Sequence, residues 1–388
     1  MSAGTATDVR DPVVAVAGGG TGGHLYPALA VAEVLRERLA QLRFVFFATD
    51  RAIDEQILGG REACTLVRQS LPPLHPAPWR WPGILRGLSR ARRQARAWFE
   101  RQRPMLVLGT GGLASVPAVL EALRAGIPAA LLNPDAIPGR ANRFLARRMD
   151  AVFVQWEDSI RHFPRGTRLE ALGCAIRPGF GTPDRAAGVR HFDLDPARRT
   201  LLATGASQGA RTLNDALVAN LDRLEQHGGW QVLHLTGKLD YERVAAAYQG
   251  RRLPARVLSY TEAMPAALAA ADLVLSRAGA STLAEITAVG RASVLMPYPF
   301  HRDMHQLANA RCLERRGAAR IVADTTHVEQ NGPALGAVLD ELMTDDQMLE
   351  TLTGAARRMG CADAAGRIAD RVLMLARGVS CESVQASY

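Results

Sequence analysis

Short apolar runs alternate with helix-like patterns along almost the whole chain, and this alternation constrains the fold more than any other feature. In the first half the runs are 13–17, 44–48, 105–109, 128–132 and 151–154. In the second half they are 201–204, 231–235, 256–258, 273–275, 293–296 and 320–322. Runs this short, bounded by Gly, Pro or charged residues, predict buried strands. Strands that alternate with helices predict parallel sheets with helices on both faces.

The alternation is interrupted between 178 and 198, where turn-forming residues are frequent and no period is sustained. We therefore predict an α/β protein with two Rossmann-like, doubly wound domains, 1–178 and 179–355. A chain of 388 residues has the length for two domains of ordinary size. Because ligands of open α/β sheets bind beyond the carboxyl ends of the strands, we expect the functional site in a cleft between the two domains.

Composition excludes several classes of protein. The chain is 48% hydrophobic and 22% charged, which is typical of globular proteins rather than disordered ones. No apolar run is long enough to span a bilayer, and we expect no secretory signal because the first ten residues lack an apolar region. The five cysteines are an odd number with no CxxC spacing, which predicts a reducing compartment, no disulfide framework and no zinc site.

The positive charge is concentrated in the first half. Residues 1–178 hold 24 arginines and 15 acidic residues, which accounts for the whole net charge of +9. This asymmetry predicts an anionic partner, whether lipid, nucleic acid or a phosphorylated substrate, unless arginines simply decorate a solvated face. Between Trp79 and Arg103, eight arginines interleave with Ile84, Leu85, Leu88, Ala91, Ala95, Trp98 and Phe99. That pattern favours a basic helix at an anionic lipid surface, although its apolar stripe also suits a helix that covers a sheet. No nucleic-acid-binding module is recognisable, so lipid is favoured over RNA or DNA.

Three glycine-containing loops follow predicted strands and precede predicted helices. They read GGGTGGH at 18–24, GASQGAR at 205–211 and SRAGASTLAE at 276–285. Glycine lets a ligand approach the backbone, and the free N–H groups at a helix start favour an anion. The loops therefore predict phosphate-binding sites, although a tight turn capped by Ser207 would also explain the second loop.

The first loop has a competing interpretation. Gly18, Gly20 and Gly23 satisfy GxGxxG, and Asp50 ends the next predicted strand, as in NAD-dependent oxidoreductases. His24 places a bulky titratable group at the mouth of the loop, which does not favour a pyrophosphate cradle. We predict that Pro27 lies in the first turn of the following helix, where its missing N–H costs nothing.

Polar side chains near the third loop suit a nucleotide sugar. Ser281 and Thr282 fall in the predicted first helical turn, and the Glu285 carboxylate could accept hydrogen bonds from the two hydroxyls of a ribose. Thr282 and Glu285 also fit a capping box, which is the structural alternative. After the following strand, His305 and Gln306 have the directional polar groups that sugar hydroxyls need.

Together these motifs resemble the GT-B glycosyltransferases, and in particular the peptidoglycan enzymes among them. GGGTGGHLYPALAVAEVL, GASQGARTLN, SRAGASTLAEI and HQLANA occur in the order typical of that family, over roughly 12–375. The resemblance implies transfer of N-acetylglucosamine from UDP-GlcNAc to lipid-linked muramyl-pentapeptide, without a cofactor or metal. It also implies a peripheral position on the cytoplasmic face of the inner membrane, and a C-terminal helix at about 356–377 that packs back on the first domain.

The resemblance also implies roles for individual residues. For the general base of an inverting displacement, His24 is a candidate because of its side-chain chemistry, and Asp135 is a second candidate that arises where the chain departs from the family. The residues implied in substrate binding are Thr21, Gly22, Gly23, Asp135, Arg177, Ser207, Asn214, Thr261, Ala280, Ser281, Thr282, Leu283, Ala284, Glu285, His305 and Gln306.

The chain departs from the family at the acceptor side. Leu132-Asn133-Pro134-Asp135 stands where the family has His-Glu-Gln-Asn, and Leu113 replaces a tyrosine. Three alternatives therefore stay open: a related transferase with another lipid acceptor, a non-catalytic sugar-nucleotide binder, and a nicotinamide-dependent oxidoreductase.

Overall fold

The computed structural model describes residues 11–20, 22–72, 77–205, 209–300 and 304–378. Within them the N-terminal half forms a seven-stranded sheet in which every pairing is parallel. Its strands are β1 (Val13–Gly18), β2 (Arg43–Thr49), β3 (Cys64–Gln69), β4 (Leu106–Gly111), β5 (Ala129–Asn133), β6 (Ala151–Val154) and β7 (Leu169–Ala171). The order across the sheet is β3-β2-β1-β4-β5-β6-β7.

The second half forms a six-stranded sheet, again with parallel pairings only. Its strands are β8 (Arg199–Thr204), β9 (Trp230–Leu235), β10 (Ala255–Leu258), β11 (Leu273–Ser276), β12 (Ala292–Leu295) and β13 (Ala319–Ile321), in the order β10-β9-β8-β11-β12-β13. The strand order reverses between β1 and β4 in the first sheet and between β8 and β11 in the second. A doubly wound sheet has its ligand crevice at such a reversal, so these four strands direct their following loops to the site.

Helices cover both faces of both sheets. In the N-terminal half they are α1 (Gly22–Arg38), α2 (Ala52–Leu58), α3 (Trp81–Arg101), α4 (Ser115–Arg124) and α5 (Arg140–Leu145). In the C-terminal half they are α6 (Arg185–His191), α7 (Arg211–Val218), α8 (Leu221–Leu224), α9 (Tyr241–Tyr248), α10 (Met264–Ala270), α11 (Ala280–Val289), α12 (His305–Glu314), α13 (Val328–Thr344), α14 (Asp346–Met359) and α15 (Ala364–Ala376). Short 3-10 turns occur at Pro78–Arg80, Ala146–Arg148 and Glu157–His162.

The last helix returns to the first domain. Ile368, Ala369 and Val372 of α15 are buried in the same core cluster as Val14 of β1 and Leu25 of α1. Arg371 donates to both carboxylate oxygens of Glu170 at 2.7 and 2.9 Å, which ties α15 to β7. The domain limits given from the sequence stay predictions, but this packing explains why a C-terminal helix belongs with an N-terminal sheet.

Several sequence predictions are wrong in detail. The strands β3 and β7 have no predicted counterpart, because β3 is an edge strand with alternately exposed residues and β7 has only three residues. The segment predicted as a linker contains α6, whose start is capped by Asp184 accepting from the Ala187 N–H at 2.9 Å. The single helix predicted over 211–225 is divided into α7 and α8.

The start of α1 is also earlier than predicted. The helix begins at Gly22, so Pro27 lies inside it rather than in its first turn. Proline has no N–H, and the Gly23 carbonyl therefore has no donor at the usual i+4 position. The glycines before it allow the helix to begin directly at the end of β1.

Candidate active site

A cleft between the carboxyl ends of the two sheets contains a cavity of about 890 Å³. The N-terminal domain lines it with the start of α1, the loop after β4 and the segment from Asn133 to Phe144. The C-terminal domain lines it with Thr204, residues 259–261, the start of α11 and His305. Loops that are distant in sequence therefore meet at the predicted position between the domains.

The start of α11 has no side-chain cap, and Gly279 is its N-cap. The capping box predicted from Thr282 and Glu285 is therefore wrong, because Thr282 lies inside the first turn. Ala280, Ser281 and Thr282 line the cavity, so this helix start faces the cleft. Such a terminus presents backbone N–H groups and the positive end of the helix dipole to a ligand.

One turn further along α11, Glu285 faces Arg177 and the cavity. The Arg177 guanidinium lies 3.8 Å from the Glu285 carboxylate and 5.5 Å from the centre of the Tyr26 ring. Burial raises the pKa of Glu285 from 4.5 to about 7, and the charge of Arg177 only partly offsets this effect. An acid that titrates near neutral pH in a cleft is a functional-site candidate.

On the opposite wall, His24 lies in the first turn of α1 against two glycines. Its Nδ1 is 3.2 Å from the Gly19 carbonyl oxygen, and its Nε2 is 3.5 Å from the point that a Cβ on Gly111 would occupy. His24, Gly22, Gly23, Gly111 and Gly112 all line the cavity. The imidazole is therefore placed where it can contact a ligand.

Asp135 is held by a contact between the domains. Its Oδ1 accepts from Nδ2 of Asn309 at 2.9 Å, and Asn309 Oδ1 accepts from the Ala136 N–H at 2.8 Å. Asn309 is fully buried in α12 and also donates to the Ala278 carbonyl at 3.2 Å. One asparagine thus joins the loop after β5 to the loop after β11, with Asp135 at the cavity wall between them.

A second contact between the domains lies behind this one. Asp158 pairs with Arg315 at 3.3 Å and with Arg316 at 2.6 Å, just after α12 ends. The residues that the sequence singled out on α12 therefore belong to a helix that is docked against both domains.

Not all predicted substrate-binding residues face the cleft. Asn214 is fully buried, and its side chain contacts Thr236, Asp240 and His234 within the protein, so the prediction that it binds substrate is wrong. Leu283 and Ala284 pack into the core beneath α11, and the Leu283 N–H already donates to the Gly279 carbonyl at 3.0 Å.

The remaining predicted residues fall into three groups. Gln306 holds two loops through Oε1, which accepts from the N–H groups of Ala278 and Tyr298 at 3.3 and 3.0 Å. Thr21 and Ser207 lie outside the described residues. The predicted residues that do line the cavity are Gly22, Gly23, His24, Asp135, Arg177, Thr261, Ala280, Ser281, Thr282, Glu285 and His305.

Three residues of the site have no counterpart among the sequence predictions. They are Tyr26, which faces Arg177, Asn309, which holds Asp135, and Asn142. Asn142 is buried at the cavity wall and donates to the Leu132 carbonyl at 3.2 Å and to Asn133 Oδ1 at 3.1 Å, while its own Oδ1 has no partner in the structure. An asparagine spaced one helical turn after a Pro-Gly pair gives no sequence signal that distinguishes it from a surface residue.

The family follows from comparison with known proteins. The model of the glycosyltransferase family 28 N-terminal domain matches residues 14–154, and that of the glycosyltransferase family 28 C-terminal domain matches residues 200–368. The chain belongs to glycosyltransferase family 28. It is therefore a glycosyltransferase of the GT-B fold, and the predicted resemblance and fold class are confirmed.

Relatives of this family-28 chain cover it almost completely. A protein of Desulforudis audaxviator is 35% identical over 94% of this chain and 98% of its own length. A protein of Desulfitobacterium hafniense is 36% identical over 92% of this chain and 97% of its own length. Both are named UDP-N-acetylglucosamine--N-acetylmuramyl-(pentapeptide) pyrophosphoryl-undecaprenol N-acetylglucosamine transferase.

Solved structures agree with this assignment. The crystal structure of MurG from Acinetobacter baumannii has a TM-score of 0.75 and 25% identity, covering 93% of this chain and 99% of that one. The calicheamicin glycosyltransferase CalG4 has a TM-score of 0.63 at 17% identity, which shows the fold alone.

The oxidoreductase alternative is wrong for this glycosyltransferase. Asp50, which a dehydrogenase would use for the ribose of NAD, is exposed and does not line the cavity. The GxGxxG spacing of Gly18, Gly20 and Gly23 is present, but the helix begins at Gly22 and brings His24 into the cleft.

Two further features concern the part of the chain that the structure describes. None of its helices combines the length and the apolar character needed to cross a bilayer. Its cysteines, Cys64, Cys174, Cys312 and Cys361, are free thiols, and Cys381 lies outside the described residues.

Proposed function

We propose that this glycosyltransferase moves N-acetylglucosamine from UDP-GlcNAc to lipid-linked muramyl-pentapeptide, the step that converts lipid I into lipid II. The observation that carries the proposal is that relatives with 33–36% identity over about nine-tenths of the chain all bear the name of this transferase. The cleft supports it, because its C-terminal wall has the groups that a nucleoside diphosphate needs.

The donor is held by the C-terminal domain. The N–H groups of Ala280, Ser281 and Thr282 receive the diphosphate at the start of α11, and Glu285 accepts from the ribose hydroxyls. Arg177, 3.8 Å from Glu285, is close enough to share its charge with the phosphates. Thr261 reaches the uracil and His305 the hydroxyls of N-acetylglucosamine, while Gln306 holds the loops beside His305. Ser207, which lies outside the described residues, stays a predicted ligand of the diphosphate.

The reaction is an inverting displacement at the anomeric carbon. A hydroxyl of the muramyl acceptor attacks that carbon, the bond from the carbon to the UDP oxygen breaks, and UDP leaves with the electron pair. The hydroxyl proton passes to His24 Nε2, with Asp135 as the second candidate base. A neutral imidazole nitrogen can accept a proton and suits this transfer, while the start of α11 stabilises the charge that develops on UDP.

The basic helix α3 provides the lipid contact. Ile84, Ala91, Ala95 and Phe99 are buried, and Ala95 and Phe99 share a core cluster with residues of the sheet, so the alternative of a sheet-covering helix describes one face correctly. Trp79, in the turn just before α3, and Trp81 and Leu85, at the start of the helix, are 79%, 55% and 62% exposed. Exposed tryptophans among arginines are typical of a membrane interface. We propose that this surface binds the cytoplasmic face of the inner membrane, where the lipid-linked acceptor lies.

Not every arginine of α3 is available to lipid. Arg92 and Arg96 donate to the buried carboxylate of Glu121 on α4 at 2.7 and 3.0 Å, and Arg124 donates to it at 2.9 Å. Burial acts to raise the pKa of Glu121, but these three hydrogen bonds outweigh it and hold the pKa below its usual value. The cluster fixes α3 on α4 and leaves a net positive patch.

A transfer assay tests the proposal. The purified protein is incubated with radiolabelled UDP-GlcNAc and either lipid I or undecaprenyl phosphate sugar carriers that lack the muramyl-pentapeptide. We expect label in the lipid product only with lipid I, and loss of that label in Glu285→Gln. Transfer to another lipid only would assign a different acceptor, and UDP-GlcNAc binding without transfer to any lipid would identify a non-catalytic binder. Either result overturns the proposal.

A further inference from the structure

A buried carboxylate supports the first glycine-rich loop from behind, and the proposed reaction does not use it directly. Asp54 is fully buried in the first turn of α2. Its Oδ1 and Oδ2 accept from the Gly20 N–H at 2.8 and 2.9 Å. Oδ2 also accepts from Thr49 at the end of β2, from the N–H at 2.9 Å and from the hydroxyl at 2.6 Å. All these partners donate, which suits a carboxylate because it only accepts.

The loop is wedged between Asp54 and the neighbouring strand. A Cβ on Gly19 would lie 2.4 Å from Asp54 Oδ2, and a Cβ on Gly18 would lie 2.0 Å from Thr110 Oγ1. Both glycines have positive φ, 145° at Gly18 and 157° at Gly19, which L side chains rarely adopt. The lack of room for a Cβ and the positive φ therefore both require glycine at 18 and 19. The close contacts also fix the position of this part of the loop relative to Asp54.

The loop in turn orients His24. The ring's Nδ1 lies 3.2 Å from the Gly19 carbonyl oxygen, which can only accept, so the proton of this hydrogen bond is on Nδ1. In the neutral ring Nε2 is then the acceptor. Nε2 lies on the side of Gly111, and both residues line the cavity. The nitrogen that can take a proton therefore lies at the part of the cavity wall that His24 and Gly111 share.

We propose that Asp54 is a positioning residue for the transfer. By holding Gly20 it fixes the Gly19 carbonyl, and that carbonyl holds His24 in the tautomer whose Nε2 receives the proton of the acceptor hydroxyl. The inference rests on the proposed role of His24. Asp54 does not line the cavity, so its effect appears in turnover, while donor binding by the C-terminal domain is unchanged.

Steady-state kinetics of Asp54→Asn test this. The amide turns an N–H₂ group toward donors, so one contact of the loop becomes a repulsion and His24 is displaced. We expect kcat to fall about 100-fold, the effect of ångström-scale misplacement, with the KM for UDP-GlcNAc within about twofold of wild type. The matched control is Asp150→Asn. Its carboxylate accepts from the Ala129 N–H at 2.9 Å at the amino end of the same sheet, and we expect unchanged kcat.

A double-mutant cycle separates positioning from general damage. If Asp54 acts through His24, adding Asp54→Asn to His24→Ala changes kcat by less than about twofold. The inference would be overturned if the fold losses of kcat in the two single variants multiplied in the double variant. A rise in the KM for UDP-GlcNAc in Asp54→Asn equal to its fall in kcat would also overturn it. If Asp54→Asn does not fold, Thr49→Val removes the 2.6 Å hydroxyl contact, and we expect the same pattern at smaller size. Unchanged kcat in folded Thr49→Val would also overturn it.

The histidine tautomer provides a readout that needs no turnover. In a ¹⁵N spectrum of labelled histidines, assigned with His24→Gln, we expect neutral His24 to carry its proton on Nδ1, and Asp54→Asn to shift population toward Nε2–H. A spectrum identical in the two proteins contradicts the inference. An inactive wild type would contradict the proposed function instead, and the spectrum would still decide the role of Asp54.

Discussion

Glu285 is predicted to stabilise the bound donor and to destabilise the empty protein. Its pKa is raised from 4.5 to about 7 by burial in the cleft. At about 1.4 kcal/mol per pKa unit, the carboxylate costs the empty folded state up to about 3 kcal/mol once it is ionised. The cost is absent below about pH 4.5, grows as the pH rises, and is complete above about pH 7.

Glu285→Gln removes this cost and keeps the shape of the side chain. The raised pKa already includes the opposing charge of Arg177, but the buried Gln amide keeps a smaller desolvation cost of its own, so we expect a net stabilisation of about 2 kcal/mol at about pH 8. For a domain as large as the C-terminal one, which contains Glu285, a stabilisation of this size raises the unfolding temperature by about 4–8 °C. At about pH 4 the Glu285 carboxyl is protonated in both the folded and the unfolded chain, and we expect the unfolding temperatures of the two proteins to agree.

Donor affinity changes in the opposite direction. A hydrogen bond to a charged group contributes about 1.5–3 kcal/mol, so Glu285→Gln is expected to weaken UDP-GlcNAc binding about 10- to 100-fold at about pH 8. Calorimetry measures the affinity and differential scanning the unfolding temperature, with the exposed Glu262→Gln as control. The reasoning would be refuted if Glu285→Gln had a lower unfolding temperature than wild type at about pH 8, or the same change in unfolding temperature at both pH values. Unchanged affinity of the variant for UDP-GlcNAc would also refute it.

Further predictions concern other parts of the molecule. His24→Ala is expected to lower kcat by about 100-fold or more while calorimetric UDP affinity stays within about twofold, and equal turnover would remove His24 from the chemistry. The double variant Trp79→Ser with Trp81→Ser is expected to reduce sedimentation with anionic vesicles and to leave UDP-GlcNAc binding unchanged, whereas unchanged sedimentation would exclude this surface. Glu121→Gln is expected to lower stability by about 1–3 kcal/mol in denaturant unfolding at neutral pH, because three arginines lose a carboxylate partner, and this effect is expected to disappear as the pH falls below the ordinary pKa of the acid and through its lowered pKa in the folded protein. Unchanged stability of Glu121→Gln would show that the cluster does not fix α3.

The sequence predicts the architecture well because the fold is encoded by local patterns. Eleven of the described strands coincide with apolar runs, in most cases because a strand buried on both faces has to be apolar throughout, although the edge strand β10 is matched while partly exposed. The strands β3, which is half exposed, and β7, which has three residues, contain no such apolar run and are therefore not predicted. The predicted start of α1 is too late because proline usually lies in the first turn of a helix. Here the glycines before Pro27 let the helix begin at Gly22.

The site is predictable where it consists of loops at strand ends. Ser281, Thr282 and Glu285 follow a strand directly, and parallel topology brings them to the cleft. Asn214 misleads because a residue soon after a glycine loop can equally face the core, where its amide meets Thr236 and Asp240. The pairing of Asn309 with Asp135 joins residues 174 positions apart and depends on how the domains dock, which no local pattern contains.

The central claim is that the C-terminal domain holds the nucleotide at the start of α11 and presents the sugar to His24 across the cleft. A crystal structure of the protein with UDP-GlcNAc measures this directly. We expect the diphosphate within hydrogen-bonding distance of the N–H groups of Ala280–Thr282, the ribose on Glu285 and the anomeric carbon facing His24. A nucleotide whose diphosphate lies instead against the loop from Gly18 to Gly23 would contradict the account.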